Sequence, residues 1–165
     1  MMRKTEIGDT SLVDVLTVAN DLPQDEIEQI EAFSGSVFDP QDMAVQIMSM
    51  GGLKWTCYDK DTGEPLVVAG FIQIGATLWR SFMLASNKAW AEYGVEVTLH
   101  CRRAVKNLVQ DKQHIRLETV CLASRDKARA WYPKIGLAYE STLLAYGAAG
   151  ETAVLYTKTQ GAKEN

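Results

Sequence analysis

Cysteine and histidine are the side chains of this sequence that could bind a metal or act as nucleophiles. The three cysteines, Cys57, Cys101 and Cys121, form no C-x-x-C pair, so neither a zinc ribbon nor a dithiol redox motif is present. The two histidines, His100 and His114, lie fourteen residues apart without a carboxylate at a supporting spacing. We therefore predict no metal site and no thiolate nucleophile, and the unpaired cysteines favour a reducing, intracellular setting.

Basic side chains are concentrated in the middle of the chain, where they could contact an anion. The net charge is −4, yet residues 88–134 carry 10 basic and 5 acidic side chains, whereas residues 1–65 carry 4 and 13. The acidic first 65 residues argue against a general nucleic-acid binder, because neutralising phosphates requires clustered Lys and Arg. The basic segment suits a small anionic ligand such as a nucleotide-like cofactor. Alternatively, its charges only solvate one face of a helix.

The elements that must position these residues change in type near residue 52. Before it, apolar residues recur with helical spacing and predict three helices, which begin near Ser11, Pro23 and Asp39. After it, alternation predicts strands over 53–58, 65–74 and 77–85. In the second half, the patterns predict a long helix (87–111) and then a strand (115–122). A short helix that Ser124 caps and Gly136 ends follows, and a hairpin (137–146 and 152–156) closes the chain.

The length and composition are those of one globular domain, with 165 residues of which 47% are hydrophobic and 23% charged. We predict a single domain of the α/β (α+β) class, in which helices flank a mixed twisted sheet. It would comprise a helical N-terminal part (1–52), a sheet core (53–157) and a flexible tail (158–165). The basic start has no apolar run behind it, so we expect no signal peptide, and no apolar run is long enough to span a membrane.

One short segment resembles a known family. The stretch SRDKARAWYPKIGLAYES places Ala128, Tyr132 and Gly136 at intervals of four residues. Together with the element order of residues 53–157, about two thirds of the chain, this pattern resembles the GNAT superfamily of acyl-CoA-dependent N-acetyltransferases. The resemblance implies that the two central parallel strands, 77–85 and 115–122, splay apart and receive the pantetheine arm of acetyl-CoA.

The resemblance also implies roles for individual residues. Tyr132 would be the general acid that protonates the departing thiolate, and Ala128 would lie on the helix that faces the cofactor. The start of the long helix, at Ser86, Asn87 and Lys88, would hold the pyrophosphate. The alternatives are that Tyr132 only packs against the sheet and that these three residues are an ordinary helix start.

Two features depart from the pattern of the superfamily. The loop before the long helix has no glycine between Ala85 and Ala91, so the usual tight phosphate-binding turn is missing. The strand 77–85 has no carboxylate to act as general base, which leaves Glu118 on the neighbouring strand as the nearest candidate. A surface or paired charge is the alternative for Glu118, and His100 and His114 are weaker candidates for the base.

Because this loop has no glycine, the chain most resembles one subset of the superfamily, the acetyltransferase-like internal virion or assembly proteins of tailed phages. The acidic helical start, the aromatic run before Gly136 and the Gly150-Glu151 turn are shared with that subset. Two functions follow as expectations. One is an N-acyltransferase that takes acetyl-CoA and an amine acceptor. The other is a non-catalytic phage protein that contacts virion or host proteins, in the host cytoplasm or the virion.

Overall fold

A computed structural model describes residues 3–164 of the chain. Met1, Met2 and Asn165, which belong to the predicted basic start and tail, lie outside the described residues. Helices dominate the first third, and strands alternate with helices after it. The elements are β1 (Thr5–Gly8), α1 (Leu12–Ala19), α2 (Gln24–Ser34), α3 (Pro40–Ser49), β2 (Leu53–Asp59), β3 (Pro65–Gln73), β4 (Leu78–Ala85), α4 (Asn87–Gln110), β5 (Ile115–Leu122), α5 (Asp126–Trp131), a 3-10 turn (Tyr132–Ile135), β6 (Ala138–Leu143) and β7 (Ala153–Gln160).

The first three helices begin and end at the residues that the sequence indicates. Ser11 caps α1 in a capping box with Asp14, and Asp39 caps α3 through the amides of its first turn. Gly35 ends α2 with a φ of +72°, a left-handed conformation that glycine adopts without steric cost. All three predicted helices are therefore confirmed.

Seven strands form one mixed sheet with helices on both faces, which confirms the predicted fold class. The strand order is β1-β2-β3-β4-β5-β7-β6, and every neighbouring pair is antiparallel except β4 and β5. On one face α1 and α3 bury Val15, Val18 and Ile47 against the sheet. On the other face α4 buries Val97 and Cys101. The sheet is thus the middle of three layers.

Two strand boundaries differ from the prediction. β1 was not expected, because only Thr5 of its four residues is buried and no apolar alternation marks the strand. It pairs with β2, with Thr5 opposite Asp59. β7 runs to Gln160, three residues into the segment expected to be a loose tail, and pairs with β5 as far as Ile115. Backbone pairing holds this polar end, since ladder hydrogen bonds do not require apolar side chains.

The cap predicted for the short helix is corrected by the structure. α5 begins at Asp126, and the residue at its N-cap position is Arg125, which makes no side-chain capping bond. Ser124 lies one residue too early to cap the helix. Gly136 does end the following turn, as predicted, with a φ of +97°.

Candidate active site

The two central parallel strands pair at one end only. β4 and β5 are in register over three pairs, from Leu78 opposite Arg116 to Arg80 opposite Glu118. Beyond this point each strand keeps only its outer neighbour, β3 for β4 and β7 for β5. Among the described residues, the inner backbone edges of 81–84 and 119–121 therefore have no strand partner and can bind another chain-like group, because a strand edge carries a row of N–H and C=O groups.

A cavity of about 710 Å³ occupies the gap between the splayed strands. It extends from α2 on one face of the sheet to α4 on the other, since residues from both helices line it. The wall on the α4 side is aromatic, with the Trp90 and Trp131 rings meeting edge to face at 5.3 Å between centroids. Rings therefore line the gap without filling it.

α2 places polar side chains across the wide end of the gap. The side-chain oxygen of Gln29 accepts a hydrogen bond of 2.9 Å from the backbone N–H of Leu122, on the β5 side. The Glu26 carboxyl interacts with the backbone amide of Ala85, on the β4 side. Both inner strand edges thus have a protein partner at this end.

Glu26 is the buried carboxyl group of the cavity. Its residue is only 5% exposed, and removal from water raises its pKa to about 8. The nearby Arg125 guanidinium opposes this rise, and the Asp25 carboxylate adds to it. No sequence pattern distinguishes Glu26 from Asp25 and Glu28, which flank it on the same acidic helix.

Tyr132 lines the same cavity at the start of the 3-10 turn. Its ring lies 5.1 Å from that of Tyr156 and 5.7 Å from that of Trp131, measured between centroids. Burial is the main cause that raises the pKa of the phenol well above its usual value, so the hydroxyl keeps its proton. Ala128, one turn earlier on α5, also lines the cavity and accepts the backbone N–H of Tyr132. The structure therefore brings Tyr132 and Ala128 together, and adds Glu26.

Glu118 lies at the narrow end of the gap, at the last paired position of β5. Its side chain is 12% exposed and bridges two guanidinium groups, that of Arg116 at 3.1 Å and that of Arg80 at 3.7 Å. Arg116 also contacts Glu140 on β6. Within residues 3–164, Glu118 is not among the residues that line the cavity. This charged ladder accounts for Arg80 on a central strand, and Glu118 as a base stays a prediction.

The start of α4 hydrogen-bonds to residues of this chain. The Ser86 hydroxyl caps the helix by accepting the N–H of Ala89 at 3.0 Å, as predicted. Asp21, in the connection between α1 and α2, accepts the N–H of Asn87 at 2.8 Å through its carbonyl. Its carboxylate accepts the Asn87 side-chain amide at 3.1 Å and, more weakly, the N–H of Lys88 at 3.5 Å.

The Lys88 ammonium group is also engaged, by the Glu64 carboxylate. This contact is the main cause that raises the pKa of Lys88. The pantetheine arm and the diphosphate of acetyl-CoA therefore differ in how well this structure could bind them. The free strand edges suit its pantetheine arm, but the amides and the lysine predicted to hold its diphosphate are taken by Asp21 and Glu64.

The remaining reactive side chains are buried or engaged by other groups, although Cys101 also lines the cavity. Cys57, Cys101 and Cys121 are buried free thiols whose pKa values are raised, chiefly by burial, so they are not thiolates. His100, a weaker candidate for the base, is partly buried, with its ring nitrogen 2.9 Å from the Thr5 hydroxyl. Among the described residues no cluster could hold a metal ion.

Comparison with known proteins identifies the fold. No family model and no curated sequence matches the chain. The solved structures that resemble it include a GNAT-family acetyltransferase from Bacillus anthracis, at 15% identity and a TM-score of 0.65 over 94% of this chain and 95% of that one. A phosphinothricin acetyltransferase of the GNAT superfamily from Sinorhizobium meliloti, in complex with AcCoA, matches at 12% identity and a TM-score of 0.64 over 99% and 94%.

A third structure is the ribosomal-protein-S18-alanine N-acetyltransferase from Escherichia coli, at 18% identity and a TM-score of 0.58 over 98% of this chain and 97% of that one. At such identities the likeness concerns the course of the chain rather than its residues. No helix of residues 3–164 is long and apolar enough to cross a membrane. The splayed strands, the element order and these structures together show that the chain has the acyl-CoA N-acyltransferase fold of the GNAT acetyltransferases.

Proposed function

We propose that this protein is an N-acyltransferase that moves an acyl group from a thioester to an amine. The single observation that carries the proposal is the gap between β4 and β5, which holds a buried carboxyl group and a partly buried phenol in one cavity. The two groups are Glu26 and Tyr132, and the charge of Glu26 contributes to the raised pKa of Tyr132. A carboxyl group and a proton-holding phenol are what proton removal from an amine and proton delivery to a thiolate require.

The reaction balances with these two groups. The amine nitrogen attacks the thioester carbonyl carbon, so that the C–N bond forms as the C–S bond breaks. Ionised Glu26 takes the proton that the amine loses, and Tyr132 gives its proton to the sulfur, which leaves as a thiol. The phenolate then recovers a proton from Glu26 or from water. Free N–H groups of the strand edges would polarise the thioester carbonyl.

Charge at the mouth on the α2 side supports an amine acceptor. Asp25 and Glu26 both line the cavity there, and Arg125 is held by Asp25 at 2.9 Å. The ionised form of Glu26 attracts a protonated amine, which loses one proton to water before its nitrogen attacks. Burial of Glu26 then favours its neutral form near pH 7, so its ionised, proton-accepting form increases as the pH approaches 8.

Thiol release tests the proposal directly. The full-length protein is mixed with acetyl-CoA or acetyl-pantetheine and with one amine at a time, taken from lysine, a peptide with a free N-terminus and a polyamine. We expect amine-dependent release of free thiol, and a product heavier by one acetyl group by mass spectrometry. No release with either donor and every amine, together with no binding of either donor, would overturn the proposal.

A second candidate is a non-catalytic phage protein that keeps this fold for contacts with virion or host proteins. The observation that favours it is the Asp21 carboxylate on the α4 amides, which leaves the predicted diphosphate site engaged. If this candidate is correct, purified phage particles should contain the protein at a fixed ratio to the structural proteins. Its absence from particles, combined with amine-dependent thiol release, would exclude it.

A further inference from the structure

One short segment of the chain, residues 21–29, supplies hydrogen-bond acceptors to four backbone donors around the gap. Asp21 accepts from Asn87 and Lys88 at the start of α4, and Gln29 accepts from Leu122 on β5. Glu26 interacts with the amide of Ala85 on β4. Asp21 differs from the other two because it stands where an anion would bind, on the amides and positive dipole end of a long helix.

The surroundings of Asp21 are acidic as well. Lys88, the cation at the start of α4, contacts Glu64 and is also influenced by Glu92 and Asp59. A diphosphate brought to this point would displace the Asp21 carboxylate from the Asn87 side-chain amide and the Lys88 N–H, and would face the repulsion of the remaining carboxylates. Three further cations line the cavity, Arg125, Lys127 and Lys134, but they lie at the start of α5, within it and in the 3-10 turn, and Arg125 is held by Asp25.

We propose that Asp21 is a specificity-determining residue that selects against a thioester donor bearing a diphosphate at the start of α4. The donor class that fits this chain is then an acyl thioester on an uncharged pantetheine-like arm. Such an arm offers amide and hydroxyl groups, which the inner edges of β4 and β5 can bind as they would a strand. The inference rests on the proposed acyltransfer and concerns which donor the same gap accepts.

Binding measurements with a graded set of probes test this inference. Pantetheine, 4′-phosphopantetheine and coenzyme A share the arm and differ in their phosphates. Trp55, Trp90 and Trp131 line the cavity, so quenching of tryptophan fluorescence reports binding to the full-length protein without activity. We expect wild-type protein to bind pantetheine at least about tenfold more tightly than coenzyme A, with phosphopantetheine between them.

The variant Asp21→Asn removes the charge and keeps the size of the side chain. Coenzyme A should bind this variant about tenfold or more tightly than wild type, whereas pantetheine should bind equally well. Asp42→Asn, an exposed carboxylate on α3, is the matched control and should leave both affinities unchanged. Raising NaCl from about 20 to about 500 mM should shrink the difference between wild type and Asp21→Asn, because salt screens repulsion.

Each other result has a definite meaning. If wild type binds coenzyme A as tightly as pantetheine, or if Asp21→Asn leaves coenzyme A affinity unchanged, the role of Asp21 is overturned while the acyltransferase proposal stands. If neither wild type nor Asp21→Asn binds any of the three probes, both proposals fall. Should Asp21→Asn unfold at a lower temperature than wild type, Asp21→Ser is measured in its place, with the same expectation for coenzyme A.

Discussion

Two ionisable residues of the cavity owe their properties to burial. Glu26 and Tyr132 lie in the same low-dielectric space, and removal from water is the largest cause that raises the pKa of each. The effect on function differs between the two. Tyr132 holds its proton at every physiological pH and can donate it, whereas Glu26, with a pKa of about 8, changes charge within the working range.

At the scale of the residue, Tyr132→Phe tests the general acid. The change removes one hydroxyl and keeps the ring that packs on Tyr156 and Trp131. Loss of a positioned proton donor typically costs about 10²–10⁴-fold, so the rate constant for thiol release should fall in that range while donor affinity stays the same. The measurement is single-turnover thiol release, with direct binding by fluorescence.

Tyr139→Phe is the matched control for this prediction. Tyr139 lies on β6, is about half exposed, and its hydroxyl contacts only Thr142. Its rate should equal that of wild type. Equal rates for Tyr132→Phe and wild type would instead assign the ring a packing role alone.

Glu26→Gln tests the buried carboxyl group through stability. Because the folded state holds its proton more tightly than the unfolded state, Glu26 contributes stability that is complete below about pH 4.5 and is lost as the pH rises through about 8. Between pH 5 and pH 9 the unfolding free energy of wild type should fall relative to that of Glu26→Gln, by up to about 4 kcal/mol. Urea denaturation across this pH range measures it; parallel curves would contradict a raised pKa.

At the scale of the element, the junction of β4 and β5 depends on charge rather than on a long ladder. Three residue pairs join the strands, and at their end Glu118 bridges Arg80 and Arg116 across the junction. Parallel pairing over so few residues would be weak alone. The buried bridge fixes the point at which the strands part, and so fixes the narrow end of the cavity.

Glu118→Gln distinguishes this clamp from a catalytic base. Removing the charge leaves two guanidinium groups without their shared carboxylate. Because both arginine side chains are at least a third exposed, solvent screens the contact, and the unfolding free energy measured in urea should decrease by about 1 kcal/mol. The pH dependence of thiol release should keep its wild-type shape, because Glu118 lies outside the residues that line the cavity. A profile that loses its rise with pH in Glu118→Gln, but not in Glu26→Gln, would restore Glu118 as the base.

At the scale of the whole molecule, one sheet separates two apolar cores. Val18 on α1 belongs to the core of one face and Val97 on α4 to that of the other, and each is at most 1% exposed. β3 contributes to both, with Val68 on one side and Val67 on the other. Since the strands are shared, we expect the cores to be lost together, as in a single domain.

Val18→Ala and Val97→Ala test this coupling. Each removes two methyl groups from a full core and should lower the unfolding free energy by about 2 kcal/mol. In both variants, far-ultraviolet circular dichroism and tryptophan fluorescence should report one coincident transition. Separate midpoints for the two probes in Val18→Ala would show that the α1–α3 layer unfolds independently of the rest.

The sequence by itself determined the elements of this protein and their order, except for β1. Local patterns sufficed where one face is buried, as on α4 with Val97 and Cys101, and where a cap has local chemistry, as at Ser86 and Gly35. The motif of Ala128, Tyr132 and Gly136 also depends on short-range spacing, and it placed two residues in the cavity. Each of these features involves residues close together in the chain.

Only the tertiary structure decided which carboxyl groups belong to the candidate site and its supporting contacts. Glu26 acquires its raised pKa from desolvation between α2 and the strands, Asp21 reaches α4 across 66 residues, and Glu118 is bridged by an arginine of another strand. Periodicity encodes which face of an element is buried, but it carries no information about the groups that a distant segment brings against that face. Desolvation and charge pairing depend on those groups, so the chemistry of the site appears only once the chain is folded.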